Sequence, residues 1–237
     1  MIDINCDLGE GLHNEHIIMP LISSCNISCG AHAGSIEIID NVIQLAIQHN
    51  VKIGAHPSFP DRENFGRKVL NISNSELQKS LEDQLTVFKE RALLQDATIH
   101  HVKPHGALYN LIAVNREKAS VVIAAIQHVF EAVKLYVPYK SSIEEVAAQS
   151  GLEIVYEAFA DRRYNEDLSL VSRTLSNALI VDKYEVSKQV QKISDKQLVT
   201  TVNLNEKEIK ASTFCVHGDT KNAIEILQYL HKHIHTK

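Results

Sequence analysis

Six short apolar stretches, each running directly into a dense polar cluster, restrict what this chain can fold into. With one further run they give seven strand-like segments, most of them separated by segments with helical periodicity. Strands that alternate with helices form parallel sheets, and seven strands are too many for a minimal open sheet. The pattern therefore predicts an α/β fold, a TIM-like (β/α) barrel with about seven strands. The predicted strands begin at Ile2, Cys25, Lys52, Ile99, Leu135, Ile154 and Thr213.

Helix-start signals fall between the predicted strands. Residues 36–47 place isoleucine at every third or fourth position, which gives one apolar stripe. Ser73 with Glu76 predicts a capping box at the start of a long amphipathic helix. Similar signals occur at Ser141 with Glu144, at Asp182 with Glu185 and after Asp219.

Two segments break the alternation of strands and helices. Residues 159–181 mix polar loop with short apolar pieces, and residues 198–210 resemble a hairpin that turns at Asn205. We expect both segments to decorate the rim of the barrel. No repeat, low-complexity tract or linker marks a boundary, so residues 1–237 are predicted to form a single domain.

The composition argues against two classes of partner. Lys and Arg total 24 against 29 Asp and Glu, the net charge is -5, and no basic run is present, so we expect no nucleic-acid partner. The amino terminus lacks a basic segment followed by an apolar h-region, and the longest apolar run, at 121–126, is too short to span a bilayer. We therefore expect a cytoplasmic protein without a membrane partner.

The four cysteines show no CxxC spacing and lie in or beside apolar runs. Reduced thiols in such positions pack as small hydrophobic groups. Zinc ligation by Cys25 and Cys29 would need further ligands at suitable spacing. We interpret Cys6, Cys25, Cys29 and Cys215 as reduced core residues of a cytosolic protein.

The first polar cluster carries acids on a predicted strand. Asp3, Asn5 and Asp7 alternate, so their side chains share one face and could all point into the barrel mouth, and Glu10 follows. A solvated strand end is the alternative. Acids at the start of an apolar strand are costly to bury without partners, so we favour a functional role.

Two histidines, His32 and His56, each stand just beyond a predicted strand and beside small residues that leave room for a substrate. A structural hydrogen-bonding role is the alternative for each of them. A carboxylate with two imidazoles suits general acid-base catalysis and also suits a divalent metal ion. Spacing does not separate the two chemistries, so the presence of a metal stays open.

The cluster HVKPHGALYN is the richest in functional side chains. Lys103 offers a fixed positive charge, His105 a proton-transfer group, and Tyr109 and Asn110 orienting hydrogen bonds. The alternatives are a surface charge for Lys103 and a helix cap for His105. A lysine between an apolar strand and a proline is not a typical solvated residue, so we favour function.

Arginines and the last strand supply further candidates. Arg67 and Arg162 could each grip the carboxylate of an acidic substrate or a nucleotide phosphate, with a structural Asp161 to Arg162 network as the alternative. His217 and Asp219 follow the last strand, where Asp219 could instead cap the final helix.

Nucleotide-binding signatures are missing from the sequence. It contains neither a GxxxxGK[ST] loop nor a GxGxxG after a strand. Any chemistry that uses ATP must therefore rely on an unconventional site or on a partner protein.

The motifs DINCDLGEG, PLISSCNISCGAHAG, IGAHPSFPD with FGR, HVKPHGALYN, FADRRY and CVHGD closely resemble those of the LamB/YcsF family, in the same order from end to end. The resemblance implies a seven-stranded β/α barrel related to glycoside hydrolases and polysaccharide deacetylases. It also implies ATP-dependent opening of the lactam 5-oxoproline to glutamate, with ATP as cosubstrate, Mg²⁺, and two further 5-oxoprolinase subunits, B and C.

Motif positions and residue chemistry together predict which residues form the active site. We predict a catalytic group made of Asp7, Glu10, His32, His56, Lys103 and His105. We predict that substrate is bound by Asn5, Arg67, Tyr109, Asn110, Asp161, Arg162, His217 and Asp219.

The sequence departs from the family pattern at two places. Ser35 and Ile36 stand where the family usually has an acid and a proline, and Leu168 follows Asp167 where the family usually has glycine. Both departures lie just outside the predicted catalytic group. They bear on helix entry and loop shape more than on the reaction.

We hypothesise that Lys103 and Arg162 steady negative charge, while an acid from the first strand and one of the histidines deprotonate water. The lactam oxygen would first be phosphorylated to an activated, imidate-like species. Two other functions stay open. One is a metal-dependent amidohydrolase or carbohydrate deacetylase that works without ATP, and the other is a noncatalytic lactam-binding subunit.

Overall fold

Seven parallel strands close into a barrel in a computed structural model that describes residues 2–234. Each strand starts within one residue of its predicted start, so the predicted barrel is confirmed. The strands, in their order around the barrel, are β1 (Asp3–Leu8), β2 (Ser24–Ser28), β3 (Lys52–His56), β4 (Ile99–Val102), β5 (Lys134–Pro138), β6 (Ile154–Phe159) and β9 (Thr213–Cys215).

The barrel closes through β9, which lies between β6 and β1. Thr213 pairs with Glu157 on one side and with Asp3 on the other. Because every pairing is parallel, the carboxyl ends of all the strands meet at one end of the barrel. Loops that converge on such a rigid base are where active sites of α/β barrels form.

Helices surround the barrel, and their starts follow the predicted signals. Ser73 and Glu76 make both hydrogen bonds of a capping box, and Ser141 accepts from the Glu144 amide. The helices are α1 (Glu15–Ile18), α2 (Ile36–Gln48), α3 (Asn74–Leu93), α4 (Gly106–Val114), α5 (Arg116–Val129), α6 (Ser142–Gln149), α7 (Lys183–Lys196) and α8 (Ala223–His233), with a 3₁₀ turn at Met19–Leu21 after α1.

Both departures from the family pattern are accommodated locally. Ser35 takes the cap position of α2 and its hydroxyl accepts from the Ile38 amide at 3.3 Å. Leu168 adopts the left-handed backbone, with φ of 67°, which glycine adopts without strain. Leu168 also packs against the core, so it holds the turn at the cost of backbone strain.

The predicted hairpin is present as β7 (Leu198–Thr200) paired antiparallel with β8 (Glu206–Glu208). The loop between β6 and α7 folds on itself, with bridges from Arg162 to Leu179 and from Tyr164 to Leu170. All four cysteines are buried and none forms a disulfide. Within residues 2–234, no helix has both the length and the apolar character required to cross a membrane.

A glycine in β3 leaves room for a buried histidine of the next strand. A Cβ atom on Gly54 would lie 2.1 Å from Nε2 of His101. That ring stacks on Tyr136 with centroids 3.8 Å apart, and its Nε2 bonds the Asn26 Oδ1 atom at 2.7 Å, so it cannot move aside. We expect Gly54→Ala to lower the free energy of unfolding by about 3 kcal/mol in urea titrations, as overpacking does.

Gly151→Ala is the matched control. Its added Cβ would meet nothing within 4 Å, so only the cost of a left-handed backbone, with φ of 72°, remains. We expect a loss of about 1 kcal/mol there. Equal losses in both variants would show that the His101 contact is not the cause.

Candidate functional site

The ammonium group of Lys103 lies at the centre of a polar layer inside the barrel. Its Nζ atom is 3.0 Å from Asp7 Oδ1 and 2.9 Å from Glu157 Oε1. Cys215 Sγ at 3.1 Å and Asn5 Oδ1 at 3.3 Å complete its surroundings. The alternating residues of β1 place Asn5 and Asp7 on the inner face, as predicted.

The charges of this layer are mutually dependent. Burial works against the charged form of Lys103, but Asp7, Cys215 and Glu157 outweigh it and raise the lysine pKa well above its usual range. Burial likewise opposes the charge on Asp7, but His56 and Lys103 hold its pKa well below the usual range. Lys103 is 2% exposed, so it is a fixed internal cation and not a surface charge.

Three imidazoles and one carboxylate meet above this layer. Glu10 Oε1 lies 3.1 Å from His32 Nε2 and 3.3 Å from His105 Nδ1, and the latter atom is 3.0 Å from His56 Nε2. The rings of His32 and His105 stack with centroids 3.8 Å apart. One ligand atom from each of the four residues falls within 4.8 Å of the others, so this group could hold a metal ion.

The loop that carries FGR passes directly over the stacked rings. Gly66 has φ of 62°, and a Cβ atom there would lie 2.9 Å from His105 Cδ2 and 3.0 Å from His32 Cβ. Only glycine fits this approach without displacing the imidazoles. His105 is the residue before α4, but its side chain makes no capping bond, which removes the cap interpretation.

A cavity of about 370 Å³ opens over these groups at the carboxyl end of the barrel, a size typical of small-molecule sites. Asn5, Asp7, His32 and Asp161 lie behind its wall, where each has a polar atom in contact with a residue that lines it. The sequence-assigned residues that line the cavity are Glu10, His56, Arg67, Lys103, His105, Tyr109, Asn110, Arg162, His217 and Asp219.

Arginines form one side of the cavity. Arg67 and Arg173 both pair with Asp219, the second at 3.1 Å. Asp219 therefore does not cap the last helix, whose cap residue is Asn222. Arg162 donates to the Val171 carbonyl at 2.6 Å, while its buried Nε atom has no hydrogen-bond partner among the described residues.

Asp161 pairs with His217, and not with Arg162 as one alternative from the sequence had it. Its Oδ1 atom is 2.9 Å from His217 Nδ1, and its other oxygen accepts from the His217 amide at 3.0 Å and from the Thr220 hydroxyl. Burial opposes the charge on Asp161, but His217 and these hydrogen bonds keep its pKa low. The His217 ring stacks on Phe159, so Asp161 orients a histidine of the cavity wall.

Tyr109 and Asn110 reach the cavity from the first turns of α4. The buried Tyr109 hydroxyl lies beside the Glu157 carboxylate, but neither this hydroxyl nor Oε2 of Glu157 makes a hydrogen bond of ordinary geometry among residues 2–234. Burial, and next the charge of Glu157, raise the tyrosine pKa well above its usual range. Tyr109 therefore stays neutral and can donate a hydrogen bond to a bound oxygen.

The sequence did not predict several residues of the site. Glu157, Asn26 and His101 extend the polar layer, and each is a polar residue inside an apolar strand, the same signal that singled out Asp7. Arg173 had no signal, because it lies in a loop far from every strand end. Asp3 was wrongly expected at the mouth: its carboxylate bonds the Lys52 ammonium and two hydroxyls at the amino-terminal end of the barrel.

The buried imidazoles make stability depend on pH. Burial lowers the pKa of His32 from 6.5 to about 4, although its bond to Glu10 opposes the change, and burial also lowers the pKa of His105. Between those pH values the unfolded chain binds protons that the folded chain does not. We expect the free energy of unfolding to fall as pH drops from 6.5 towards 4, by about 3 kcal/mol for His32 alone.

Urea titrations across this range, with a chelator present, measure the effect. Below it, Asp7 and Glu10 add a further loss, because their lowered pKa values stabilise the fold only while they stay ionised. The variant His32→Gln should flatten the slope between pH 6.5 and 4. An unchanged slope in that variant would contradict this assignment.

Comparison with known proteins agrees with the fold and with the order of the motifs. The LamB/YcsF family model matches residues 2–237. The chain is 39% identical over 237 residues to the A subunit of the 5-oxoprolinase from Bacillus cereus, and the match covers 98% of this chain and 94% of the relative. It is 41% identical over 228 residues to the A subunit of the 5-oxoprolinase from Staphylococcus aureus, with 94% and 91% covered.

Solved structures show the same barrel. A lactam utilization protein from Thermus thermophilus superposes with a TM-score of 0.91 at 32% identity, over 98% of this chain and 94% of that one. A GH113 β-1,4-mannanase, with a TM-score of 0.53 at 9% identity over 98% of both chains, shares the fold alone. The chain belongs to the LamB/YcsF family.

Proposed function

We propose that this chain is the A subunit of an ATP-dependent 5-oxoprolinase, which hydrolyses 5-oxo-L-proline to L-glutamate with cleavage of ATP, together with the B and C subunits. The observation that carries the proposal is the end-to-end similarity to 5-oxoprolinase A subunits, at 39% and 41% identity. The cavity at the barrel mouth supports it, because its two sides match the two ends of this substrate.

The substrate carries a carboxylate and a lactam carbonyl. Arg162 and Arg173 on one side of the cavity suit the carboxylate, since guanidinium groups bind carboxylates through paired hydrogen bonds. Glu10 and His105 on the other side then face the lactam carbon. The neutral Tyr109 hydroxyl can donate to the ring oxygen.

The carbonyl carbon of a lactam resists attack by water until the lactam oxygen is activated. In the proposed route the γ-phosphoryl group of ATP is transferred to the lactam oxygen, and ADP leaves. Water then adds to the ring carbon and gives up a proton to the Glu10 and His105 pair. Collapse of the adduct opens the C–N bond, with a proton delivered to the ring nitrogen, and leaves an acyl phosphate. A second water then hydrolyses the acyl phosphate to glutamate and phosphate.

We propose a less direct role for Lys103 than the sequence indicated. Its ammonium is engaged by Asp7 and Glu157, so we propose that it sets the charge of the cavity floor. Arg162, whose Nε atom is unpaired among residues 2–234, steadies the negative charge on the substrate.

ATP handling fits a shared assembly better than this chain alone. The sequence has no phosphate-binding loop, so we propose that the B and C subunits supply most contacts to ATP and its Mg²⁺. We also propose that residues 1–237 act as one domain in the cytoplasm, in keeping with a shared hydrophobic core and four buried, reduced cysteines.

Reconstitution tests the proposal. The purified chain is mixed with the B and C subunits, ATP, Mg²⁺ and 5-oxoproline, and glutamate and ADP are measured. We expect both products to appear together, and to vanish when this chain or ATP is omitted. Glutamate release that does not need this chain would refute the proposal.

A metal-dependent amidohydrolase or carbohydrate deacetylase is the second candidate, favoured by the grouping of Glu10 with three histidines. It requires turnover by the isolated chain without ATP, abolished by a chelator and restored by a transition metal. A lactam-binding subunit without catalytic groups would instead show mouth variants that change affinity but leave the maximal rate intact.

A further inference from the structure

Two of the histidines, His56 and His105, have their tautomers fixed by hydrogen bonds from the ring nitrogens that face away from Glu10. His56 Nδ1 lies 2.6 Å from the Lys103 carbonyl, and His105 Nε2 lies 2.9 Å from the Phe65 carbonyl. A carbonyl oxygen only accepts, so each of these nitrogens carries the hydrogen. In the neutral rings, His56 Nε2 and His105 Nδ1 therefore present lone pairs.

The third histidine is fixed in the same way through a hydroxyl. His32 Nδ1 is 2.9 Å from Ser58 Oγ, and that hydroxyl donates its own hydrogen to the Phe59 carbonyl at 2.8 Å. Ser58 Oγ must then accept from His32. The lone pair of His32 Nε2 is left facing Glu10 Oε1.

Four acceptors thus converge with no hydrogen among them. His56 Nε2 and His105 Nδ1 lie 3.0 Å apart, and Glu10 Oε1 lies 3.1, 3.3 and 3.9 Å from the nitrogens of His32, His105 and His56. Lone pairs at these distances repel unless a cation lies among them. Ligands at about 2.0 to 2.1 Å from a tetrahedral ion stand about 3.3 Å apart, close to the spacing observed.

We propose that Glu10, His32, His56 and His105 bind one divalent first-row transition metal ion, of the class of Zn²⁺. Imidazole suits such ions, whereas Mg²⁺ takes oxygen ligands. The carbonyl and hydroxyl acceptors on the far nitrogens are the outer partners that orient metal-binding histidines. The inference rests on this geometry and goes beyond the proposed function, because metal ligation would replace the proton-accepting role given there to Glu10 and His105.

A second group of potential ligands, Asp7, Cys215 and His217, does not qualify. The Lys103 ammonium already lies 3.0 Å from Asp7 and 3.1 Å from Cys215, so the position for a cation is taken.

The ion would lie at the floor of the cavity. Glu10, His56 and His105 line the cavity, whereas His32 approaches from behind its wall. A ligand that enters the cavity therefore reaches the ion from the open side. A bound ion of this class would supply an acidic water on that side, a nucleophile suited to hydrolysis.

Metal binding by the isolated full-length chain tests the inference without the B and C subunits or ATP. The protein is stripped with a chelator and titrated separately with Zn²⁺, Co²⁺, Mn²⁺, Fe²⁺ and Ni²⁺ at neutral pH. We expect one ion per chain, visible Co²⁺ bands typical of four- or five-coordinate nitrogen and oxygen sites, and a higher melting temperature with Zn²⁺. Glu10→Gln and His105→Gln should weaken binding by more than about 100-fold, since even loss of an outer partner costs 10- to 100-fold.

His217→Gln is the matched control, because it removes another imidazole of the same cavity, and it should bind as the wild type does. A wild-type chain that retains none of Zn²⁺, Co²⁺, Mn²⁺, Fe²⁺ or Ni²⁺ would overturn the inference and assign protons to the cluster. Equal retention by Glu10→Gln and wild type would overturn it as well. Neither outcome would refute the proposed 5-oxoprolinase function, which the reconstituted assay tests separately.

Discussion

Replacing Lys103 with methionine is expected to lower the free energy of unfolding by about 3 to 5 kcal/mol, the cost of removing one partner of a buried ion pair. The substitution keeps the length of the side chain but leaves Asp7 and Glu157 buried without their cation. Urea titration at neutral pH measures the loss. Such a loss is a large part of the roughly 5 to 15 kcal/mol of typical domains, so low yields of folded protein are also expected.

Two comparisons identify the cause of the loss. Adding Glu157→Gln to the methionine variant should recover part of the stability, because one uncompensated charge is removed. The deficit should also shrink as pH falls, since protonation of Asp7 discharges the other carboxylate. Lys79→Met, on the exposed face of α3, should unfold like the wild type. A loss no greater than that of Lys79→Met would show that Lys103 does not hold the layer together.

Replacing Glu10 with glutamine is expected to reduce glutamate release by the reconstituted assembly by about 10³-fold, with the fold retained. Glutamine has nearly the same shape, but it removes the charge that meets His32 and His105. The expected size follows from losing a proton acceptor, worth about 10²- to 10⁴-fold. A metal-binding role for Glu10 predicts the same loss, and the metal titration separates the two roles.

Initial rates at saturating 5-oxoproline and ATP measure this effect, and circular dichroism confirms folding. Glu37→Gln, an exposed acid in the first turn of α2, is the control and should keep the wild-type rate. A Glu10→Gln assembly that turns over like Glu37→Gln would exclude the carboxylate from the reaction.

The sequence predicts the barrel well because short parallel strands carry strong local signals. Apolar runs end in glycines and acids, and the caps at Ser73, Ser141 and Asp182 mark helix starts. Helices α4 and α5 were not predicted, because residues 106–129 are apolar over wide faces and show no clear period.

The site was predictable only in part. Residues at the end of a strand or directly after it, such as His56 and Lys103, lie at the mouth because every strand of a parallel barrel ends there. The polar layer within the strands was missed, since Glu157 and Asn26 can be placed only when the inner face is known. The contact of Arg173 with Asp219 depends on how a long loop folds, and no local sequence pattern predicts that fold.

We propose that 5-oxoproline is hydrolysed in the cavity at the carboxyl end of the barrel. The most direct measurement compares glutamate release by assemblies that carry His105→Gln or His100→Gln in this chain. His105 follows β4 and lines the cavity. His100 lies at the start of β4, towards the amino-terminal end of the barrel. We expect His105→Gln to fall by more than about 100-fold and His100→Gln to stay near the wild-type rate. Wild-type release by His105→Gln would contradict the claim.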